Sequence, residues 1–394
     1  MVYIVVLLYI IVCVFIFDIR KRINGKNANY SIILGLLILI SGLSYRLGSD
    51  VIVYMDDFKA AKTLSNASIS YFFSLDRGHL PGWMFLVSLS KTLCNHFNFL
   101  KIIIASFVNY VFFYSIRRYT KYIFTSVLFY YVFLYFIINF EVLRFSISTA
   151  IFLLSLKYLE KGNLLKYFSL VIIALLFHEG AFLLFAVPLL RNIKITKLKC
   201  CFFLFIFVMA LLSSNFLYDK IGLLSLIGIF EYKVNLYMNA EGVFAAYDGL
   251  SIFMIVKMIL FYGLPLLLLP LVSKSIGNIY IPYFLMFLVC IVLGFVLPIA
   301  NRFTVFFSLF YYIYIIDLVI VWSKKYLSKP LKHVFVFSIL SILLVNRIYS
   351  EVSPCDSFYG MSSFTRYYPY ASIIEPKIDT NRENLYYYLS TYGF

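Results

Sequence analysis

Long apolar runs recur along this chain and constrain its fold more than any other feature. Of the 394 residues, 63% are hydrophobic and only 13% are charged. Soluble globular proteins have about 25% charged residues and about 45–50% apolar ones, so the composition excludes an ordinary soluble enzyme. Disordered chains are poor in aromatic and aliphatic residues, so disorder is excluded as well. The sequence predicts an all-α polytopic integral membrane protein.

A transmembrane helix needs roughly 20 apolar residues, and on this basis we expect about 12 transmembrane helices, with a range of about 10–13. The candidate runs lie near residues 2–17, 30–45, 99–116, 122–139, 145–159, 164–178, 180–191, 200–213, 249–272, 279–299, 303–322 and 333–349. The sequence has no repeat period and no long Gly/Pro/Ser linker. We therefore predict one integral membrane domain over residues 1–394.

The net charge of +16 is best explained by orientation in the membrane. With the N-terminus outside and twelve spans, the loops on the inner side contain 19 basic residues and two acidic ones, Asp18 and Glu160. Short cytoplasmic loops collect Lys and Arg, so this side is predicted to be cytoplasmic. The basic residues form no coherent face for a nucleic acid. The polar segments 214–248 and 350–394 are then a periplasmic loop and a periplasmic tail.

Residues 81–98 could be considered as a thirteenth span. That choice would place the basic residues at 20–26 on the side opposite the other basic loops, and polar residues interrupt the stretch. We therefore predict that residues 46–98 form a periplasmic loop, with a helix that lies on the surface or re-enters the membrane. The six cysteines contain no CxxC pair, and we predict neither a metal site nor a cofactor.

Four groups of polar residues stand at span ends on the predicted outer side. They are Arg46 to Asp50 with Tyr54, Glu141 with Arg144, His178 with Glu179, and Arg302. An ionisable residue within a span costs about 2.5–3.5 kcal/mol on insertion scales and is a functional candidate by default. Structural explanations are also open: the arginines can extend to the interface, and residues spaced i, i+3 can form an ordinary ion pair.

The convergence of these groups on one side favours a function. The planar guanidinium of arginine suits bidentate binding of phosphate oxygens. A carboxylate or an imidazole nearby can act as a general base toward a sugar hydroxyl. The residues fit transfer of a glycan from a lipid diphosphate, and they also fit binding of an anionic lipid without reaction.

Three short motifs follow one another between the predicted spans. They are Tyr45-Arg46-Leu47-Gly48-Ser49-Asp50 with Tyr54, then Glu141-x-x-Arg144 with Ser148-x-Ala150, then Phe177-His178 with Ala181. In order and spacing they resemble the EpsG family of polysaccharide polymerases, which is related to the Wzy polymerases of O-antigen and capsule assembly. The resemblance extends over about residues 30–310.

This resemblance implies a metal-independent glycosyltransferase of the bacterial inner membrane whose active face is periplasmic. Its substrates would be oligosaccharide repeat units carried on undecaprenyl diphosphate in the lipid bilayer, and a chain-length regulator protein would be a partner. By position, Arg46, Arg144 and Arg302 are expected to bind the pyrophosphate. Tyr54 is expected to line the sugar path, and Glu179 is counted with the glycan-binding residues.

The catalytic assignments follow from the same positions. Asp50 is the first candidate for the general base and His178 the second, while Glu141 is expected to orient Arg144. His79 lies in the polar loop, and we interpret it as a solvated residue.

A flippase for the same lipid-linked oligosaccharide is the main alternative, and a membrane O-acyltransferase is a weaker one. A flippase needs charges along a path through the membrane and usually a repeated half. Charges inside the predicted spans are few, of which Lys257 and Asp317 are the clearest, and the two halves show no duplication. The sequence therefore favours an enzyme.

Overall fold

The computed structural model describes residues 1–74, 79–191, 193, 195–213, 252–276, 281–296, 298–354 and 360–392. Over these residues the chain is almost entirely helical, with two isolated β-bridges and no strand. The all-α prediction is confirmed for this part of the chain. The predicted loop 214–248 lies outside the described residues.

The chain divides into two compact units. The first comprises Met1–Phe185, Arg347–Pro354 and Met361–Tyr386, and the second comprises Ala186–Asn346, Cys355–Gly360 and Tyr387–Phe394. Most of the predicted tail thus belongs to the same unit as the N-terminal half of the chain.

The first unit is built from helices that follow one another closely. They are α1 (Val2–Ile19), α2 (Lys26–Gly42), α3 (Ser49–Ala60), α4 (Pro81–Leu93), α5 (Phe97–Tyr119), α6 (Ile123–Tyr135), α7 (Leu143–Glu160) and α8 (Leu164–Leu175). Local capping sets several starts: the Asn163 side chain accepts a hydrogen bond from the Lys166 N–H before α8. Helix α5 packs against α2 and α7, and α7 packs against α8.

The second unit continues the helical pattern. Its main helices are α9 (Lys197–Leu212), α10 (Ile255–Leu271), α11 (Ile281–Val296), α12 (Thr304–Tyr326) and α13 (Lys329–Val352), the last of which ends in the first unit. Aromatic contacts join α11 to α12, where the rings of Phe287 and Tyr311 stack with centroids 4.5 Å apart.

Within the described part of the chain, four helices are long and apolar enough to cross a membrane: Val2–Ile19, Phe97–Tyr119, Asn301–Tyr326 and Leu331–Val352. Shorter apolar helices of 10–17 residues occupy most of the other predicted runs among the described residues. The architecture agrees with a polytopic membrane protein, but the number of twelve spans is not confirmed. Helix α7 is not among the four: its 18 residues include the charged side chains Arg144, Lys157 and Glu160.

The segment after α2 is tied to the C-terminal tail. Ser44 pairs with Ser372 in an antiparallel bridge, and the Tyr45 N–H donates to the Ala371 carbonyl at 2.9 Å. The Tyr370 hydroxyl donates to the Ile40 carbonyl at 3.1 Å. Burial raises the pKa of Tyr370 to about 12, so the hydroxyl keeps its proton. The tail therefore folds onto the chain just before α3, where the predicted site residues begin.

Candidate functional site

Gly48 determines the backbone conformation just before α3 begins. Its φ is +94°, in a region that L side chains rarely adopt, and a Cβ there would lie 2.0 Å from the Phe140 carbonyl oxygen. Its N–H donates to the Arg366 carbonyl at 3.0 Å. Because only glycine has no Cβ, this residue lets α3 begin directly beside the turn Ile137–Glu141 and beside the tail.

Glu141 caps the N-terminus of α3 with its side chain. One carboxylate oxygen accepts a hydrogen bond from the Ser49 hydroxyl at 2.6 Å and another from the Asp50 N–H at 3.3 Å. A carboxylate at this position satisfies N–H groups that have no partner within the helix and is favoured by the helix dipole. Glu141 ends a π-helical turn, Ile137–Glu141, and such turns often occur at functional sites.

The second oxygen of Glu141 contacts an arginine of the tail. The Arg366 Nη1 lies 3.2 Å from Glu141 Oε1, and the two side chains are 18% and 7% exposed. Burial by itself would lower the pKa of Arg366, but the neighbouring Tyr367, Glu141 and Glu351 hold the pKa above its ordinary value. That Glu141 orients Arg144 stays a prediction. The contacts described for its carboxylate are with α3 and Arg366.

Arg46 is held by the last helix of the tail, α14 (Thr380–Tyr392). Its Nε and Nη2 donate to the two oxygens of Glu383 at 3.0 and 2.5 Å. This hydrogen-bonded pair raises the pKa of the Arg46 guanidinium. The Tyr386 hydroxyl donates to the backbone carbonyls of Arg46 and Arg366. We call Arg46, Ser49, Glu141, Arg366 and Glu383 the tail cluster.

A second group, which we call the histidine cluster, consists of Asp57, His79 and Arg144. The Arg144 Nη1 donates to His79 Nδ1 at 2.9 Å, and His79 Nε2 lies 2.6 Å from an oxygen of Asp57. Arginine can only donate, so Nδ1 accepts and the proton of the neutral ring is on Nε2, which donates to Asp57. His79 is 7% exposed. The interpretation of His79 as a solvated loop residue is therefore wrong.

Aromatic side chains surround the histidine cluster. The Arg144 guanidinium carbon lies 5.9 Å from the centroid of the Tyr54 ring, within the range of a cation–π contact. The Tyr54 ring lies 5.2 Å from Trp83, and both residues are buried. Helices α3, α4 and α7 thus fix the surroundings of Arg144. The role of Tyr54 in lining a sugar path stays a prediction.

His178 lies beside α7, just after α8 ends. Its ring centroid is 4.5 Å from that of Phe145, which follows Arg144 in the chain. His178 Nδ1 accepts a hydrogen bond from the Gly180 N–H at 3.0 Å, so the proton of the neutral ring is on Nε2. The next residue, Glu179, is exposed. The structure therefore brings His178 next to the residue that follows Arg144.

Arg302 lies in the second unit, in the 3-10 helical turn Pro298–Phe303 that precedes α12. Its predicted role in binding pyrophosphate stays a prediction. Among the described residues, no group of three or more His, Cys, Asp or Glu side chains is arranged to hold a metal ion.

Sequence reasoning missed Arg366 and Glu383, and it misinterpreted His79. Glu383 is 337 residues from Arg46 in the chain, and no local pattern predicts a contact over such a separation. A usable signal existed for His79, since it stands two residues before Pro81 at the first turn of α4, where the chain enters a helix with a buried face.

Comparison with protein families identifies the group to which these residues belong. A profile of the EpsG family matches residues 27–372. The chain belongs to the EpsG family. This is a family of Wzy-like, polysaccharide-polymerase-type membrane proteins, and the expected resemblance is confirmed. Comparisons with curated proteins and with solved structures find no match. In this EpsG-family chain, the matched region contains the whole histidine cluster and Arg366 and ends before Glu383.

Proposed function

We propose that this protein is a polysaccharide polymerase that joins oligosaccharide repeat units carried on undecaprenyl diphosphate at the periplasmic face of a bacterial inner membrane. The observation that carries the proposal is the family match over residues 27–372. The matched region contains Arg144, whose guanidinium donates to the buried His79, which in turn contacts Asp57. The products would be O-antigen, capsule or exopolysaccharide.

Arg144 is the proposed ligand of the pyrophosphate. Its hydrogen bond to His79 fixes the direction of the guanidinium, and a guanidinium that is already oriented loses less conformational entropy when it binds phosphate oxygens. Arg302 is the second candidate for this role. Arg46 forms a bidentate pair with Glu383, so we assign it the support of α3 and the tail rather than a direct contact with substrate.

Asp50 is the proposed general base. It lies in the first turn of α3, where the helix dipole favours the ionised carboxylate. In the proposed step, a hydroxyl oxygen of the acceptor sugar attacks the anomeric carbon of the donor and its proton passes to Asp50. The bond from that carbon to the diphosphate breaks, and the leaving diphosphate keeps the electron pair. Arg144 stabilises the negative charge that develops on the diphosphate. His178 is the alternative base.

Deletion of the gene tests the function. We expect the deletion strain to carry surface glycan of one repeat unit only, which a gel ladder of the polysaccharide resolves, and we expect the wild-type gene to restore long chains. Full-length polymer in the deletion strain would contradict the proposal. Loss of even the one-unit product would instead indicate a flippase, because substrate would then stay on the inner side of the membrane.

Point variants test the assigned residues in the same strain. Asp50→Asn and Arg144→Gln should each restore normal protein levels but not long polymer. Asp56→Asn is the matched control for Asp50, because Asp56 lies on the same helix and its side chain is 66% exposed in a pair with Lys59. Normal polymer from both Asp50→Asn and Arg144→Gln would contradict the site assignment and leave the polymerase proposal standing.

A further inference from the structure

A cavity of about 430 Å³ lies in the first unit, and Asp57, His79 and Arg144 are not among the residues that line it. It is bounded by the start of α1, by residues 131–137, by the end of α13 and by residues 364–368 of the tail. Its volume is within the range of about 300–1,000 Å³ that is typical of small-molecule sites. Both α1 and α13 contain candidate membrane spans, so the cavity lies where two spans end.

The walls of the cavity are mostly aromatic and aliphatic. The ring of Tyr3 meets the rings of Phe136 and Phe364 edge-on, with centroids 5.1 and 5.8 Å apart. Leu7 and Ile348 supply aliphatic surface from α1 and α13. Burial of a hydrocarbon chain against such a surface is favourable, whereas a sugar or a free anion would find few hydrogen-bond partners there. The chemistry of the walls therefore fits a hydrocarbon chain.

One side of the cavity carries an arginine, Arg347, and the carboxylate of Glu351. Arg347 Nη2 contacts an oxygen of Glu351 at 2.5 Å, and the Arg347 side chain is 30% exposed. Its Nε finds no hydrogen-bond partner among the described residues. The other oxygen of Glu351 accepts from the Ser363 hydroxyl, so this carboxylate keeps a partner when the guanidinium turns toward a ligand. Arg347 can therefore bind an anionic group at one end of a hydrocarbon chain.

The cavity also adjoins the tail cluster. Tyr367 lines the cavity and directly follows Arg366, whose guanidinium contacts Glu141. Glu141 in turn caps α3, the helix that carries Asp50. A lipid held in this cavity would thus lie against the segment that supports the proposed general base.

We propose that the cavity binds the first isoprenyl units of the acceptor's polyprenyl diphosphate, with that diphosphate at Arg347, whereas Arg144 binds the diphosphate that leaves the donor. This inference rests on the proposed function, because the lipid is the carrier of the glycan substrate. The apolar walls hold the chain, and the arginine distinguishes a diphosphate from an uncharged isoprenol.

Photolabelling of the full-length protein in nanodiscs tests the proposal. The probe is farnesyl diphosphate with a diazirine on its last isoprene unit, and labelled peptides are identified by mass spectrometry. We expect labels in residues 1–7, 131–137 or 364–368, and we expect undecaprenyl diphosphate to compete. Equal competition by phosphatidylglycerol would show that an ordinary membrane lipid occupies the cavity. Equal competition by inorganic pyrophosphate would show that binding does not need the chain. Either result overturns the proposal.

Two variants locate the binding. Leu7→Trp fills the cavity and should lower labelling about tenfold, because the probe loses several apolar contacts. Leu8→Trp is the control and should not change labelling, because Leu8 is 56% exposed and does not line the cavity. Arg347→Gln should weaken competition by farnesyl diphosphate about tenfold and leave competition by farnesol unchanged. Unchanged labelling in folded Leu7→Trp protein contradicts the site.

Labelling is measured without polymerisation, so the two proposals can fail separately. Normal polymer length with no labelling of the cavity contradicts only the lipid site. Labelling as expected, together with full-length polymer in the deletion strain, contradicts only the polymerase function.

Discussion

The tail cluster and the histidine cluster use arginine in different ways. In the tail cluster, Arg46 and Arg366 each contact a carboxylate of a distant segment. In the histidine cluster, Arg144 donates to an imidazole nitrogen, and the imidazole contacts Asp57. A pair of opposite charges between distant segments holds them together, whereas a hydrogen bond to a ring nitrogen fixes a direction. We therefore expect changes in the tail cluster to alter stability and changes in the histidine cluster to alter activity.

The largest effect is expected where the tail cluster meets α3. Gly48→Ala would place a Cβ 2.0 Å from the Phe140 carbonyl oxygen at a φ of +94°. Because backbone must move to relieve this contact, we expect a loss of stability above about 4 kcal/mol and little folded protein. Fluorescence-detected size-exclusion chromatography of a tagged protein measures the folded fraction.

Gly35→Ala is the matched control, because a Cβ at Gly35 in α2 meets nothing within 4 Å. A helical Gly→Ala change is stabilising by about 0.5–1 kcal/mol, so this variant should fold at least as well as the wild type. Normal yield and activity of Gly48→Ala would show that α3 and the tail do not need their close approach.

The ion pair of Glu141 with Arg366 should give the next largest effect. Both side chains are largely buried, and removing one partner of a buried pair costs about 3–5 kcal/mol. We expect Glu141→Gln and Arg366→Gln each to lower the unfolding midpoint in detergent. The double variant should lose less than the sum of the two changes. Additive losses would mean that the two residues do not interact. The Asp56→Asn variant is the control, because Asp56 is exposed.

His79 tests the other half of the comparison. His79→Leu removes the acceptor for Arg144 and the donor to Asp57. A misplaced binding group can cost about 100-fold in rate, and we expect a loss of about 10–100-fold in polymer formation per folded protein. The unfolding midpoint should fall less than in Glu141→Gln, because the partners left behind lose hydrogen bonds to a neutral ring, at about 1–3 kcal/mol, rather than an ion pair. His79→Asn keeps an acceptor oxygen near the position of Nδ1 and should retain more activity than His79→Leu.

His333→Leu is the control for this prediction, because His333 is exposed and lies in the second unit. An unfolding midpoint in His79→Leu lowered as far as in Glu141→Gln, with activity lost only in proportion to the folded protein, would make His79 a stabilising residue like those of the tail cluster. The distinction between the clusters would then fail.

The sequence predicted the helical class, the membrane setting and the family, because apolar runs and ordered local motifs determine them. It also predicted that Arg46, Asp50, Glu141, Arg144, His178 and Arg302 act as a group, and the structure places all of these except Arg302 in the first unit. The partners could not be predicted. The bonds of Arg46 with Glu383 and of Glu141 with Arg366 depend on how the tail folds back, and local periodicity contains no information about that.

The smallest effect is expected for the pair of Arg46 and Glu383, and it is also the sharpest test of what Arg46 does. The two side chains are 22% and 26% exposed, so loss of the pair should cost about 1 kcal/mol. If Arg46 only holds the tail, Arg46→Glu should lose stability and polymer length, and the exchanged variant Arg46→Glu with Glu383→Arg should recover both. Recovery of the unfolding midpoint without recovery of polymer length would instead show that the positive charge at residue 46 acts on the substrate. Arg46 would then have two roles, since it would support the tail through Glu383 and also act on the substrate as Arg144 does.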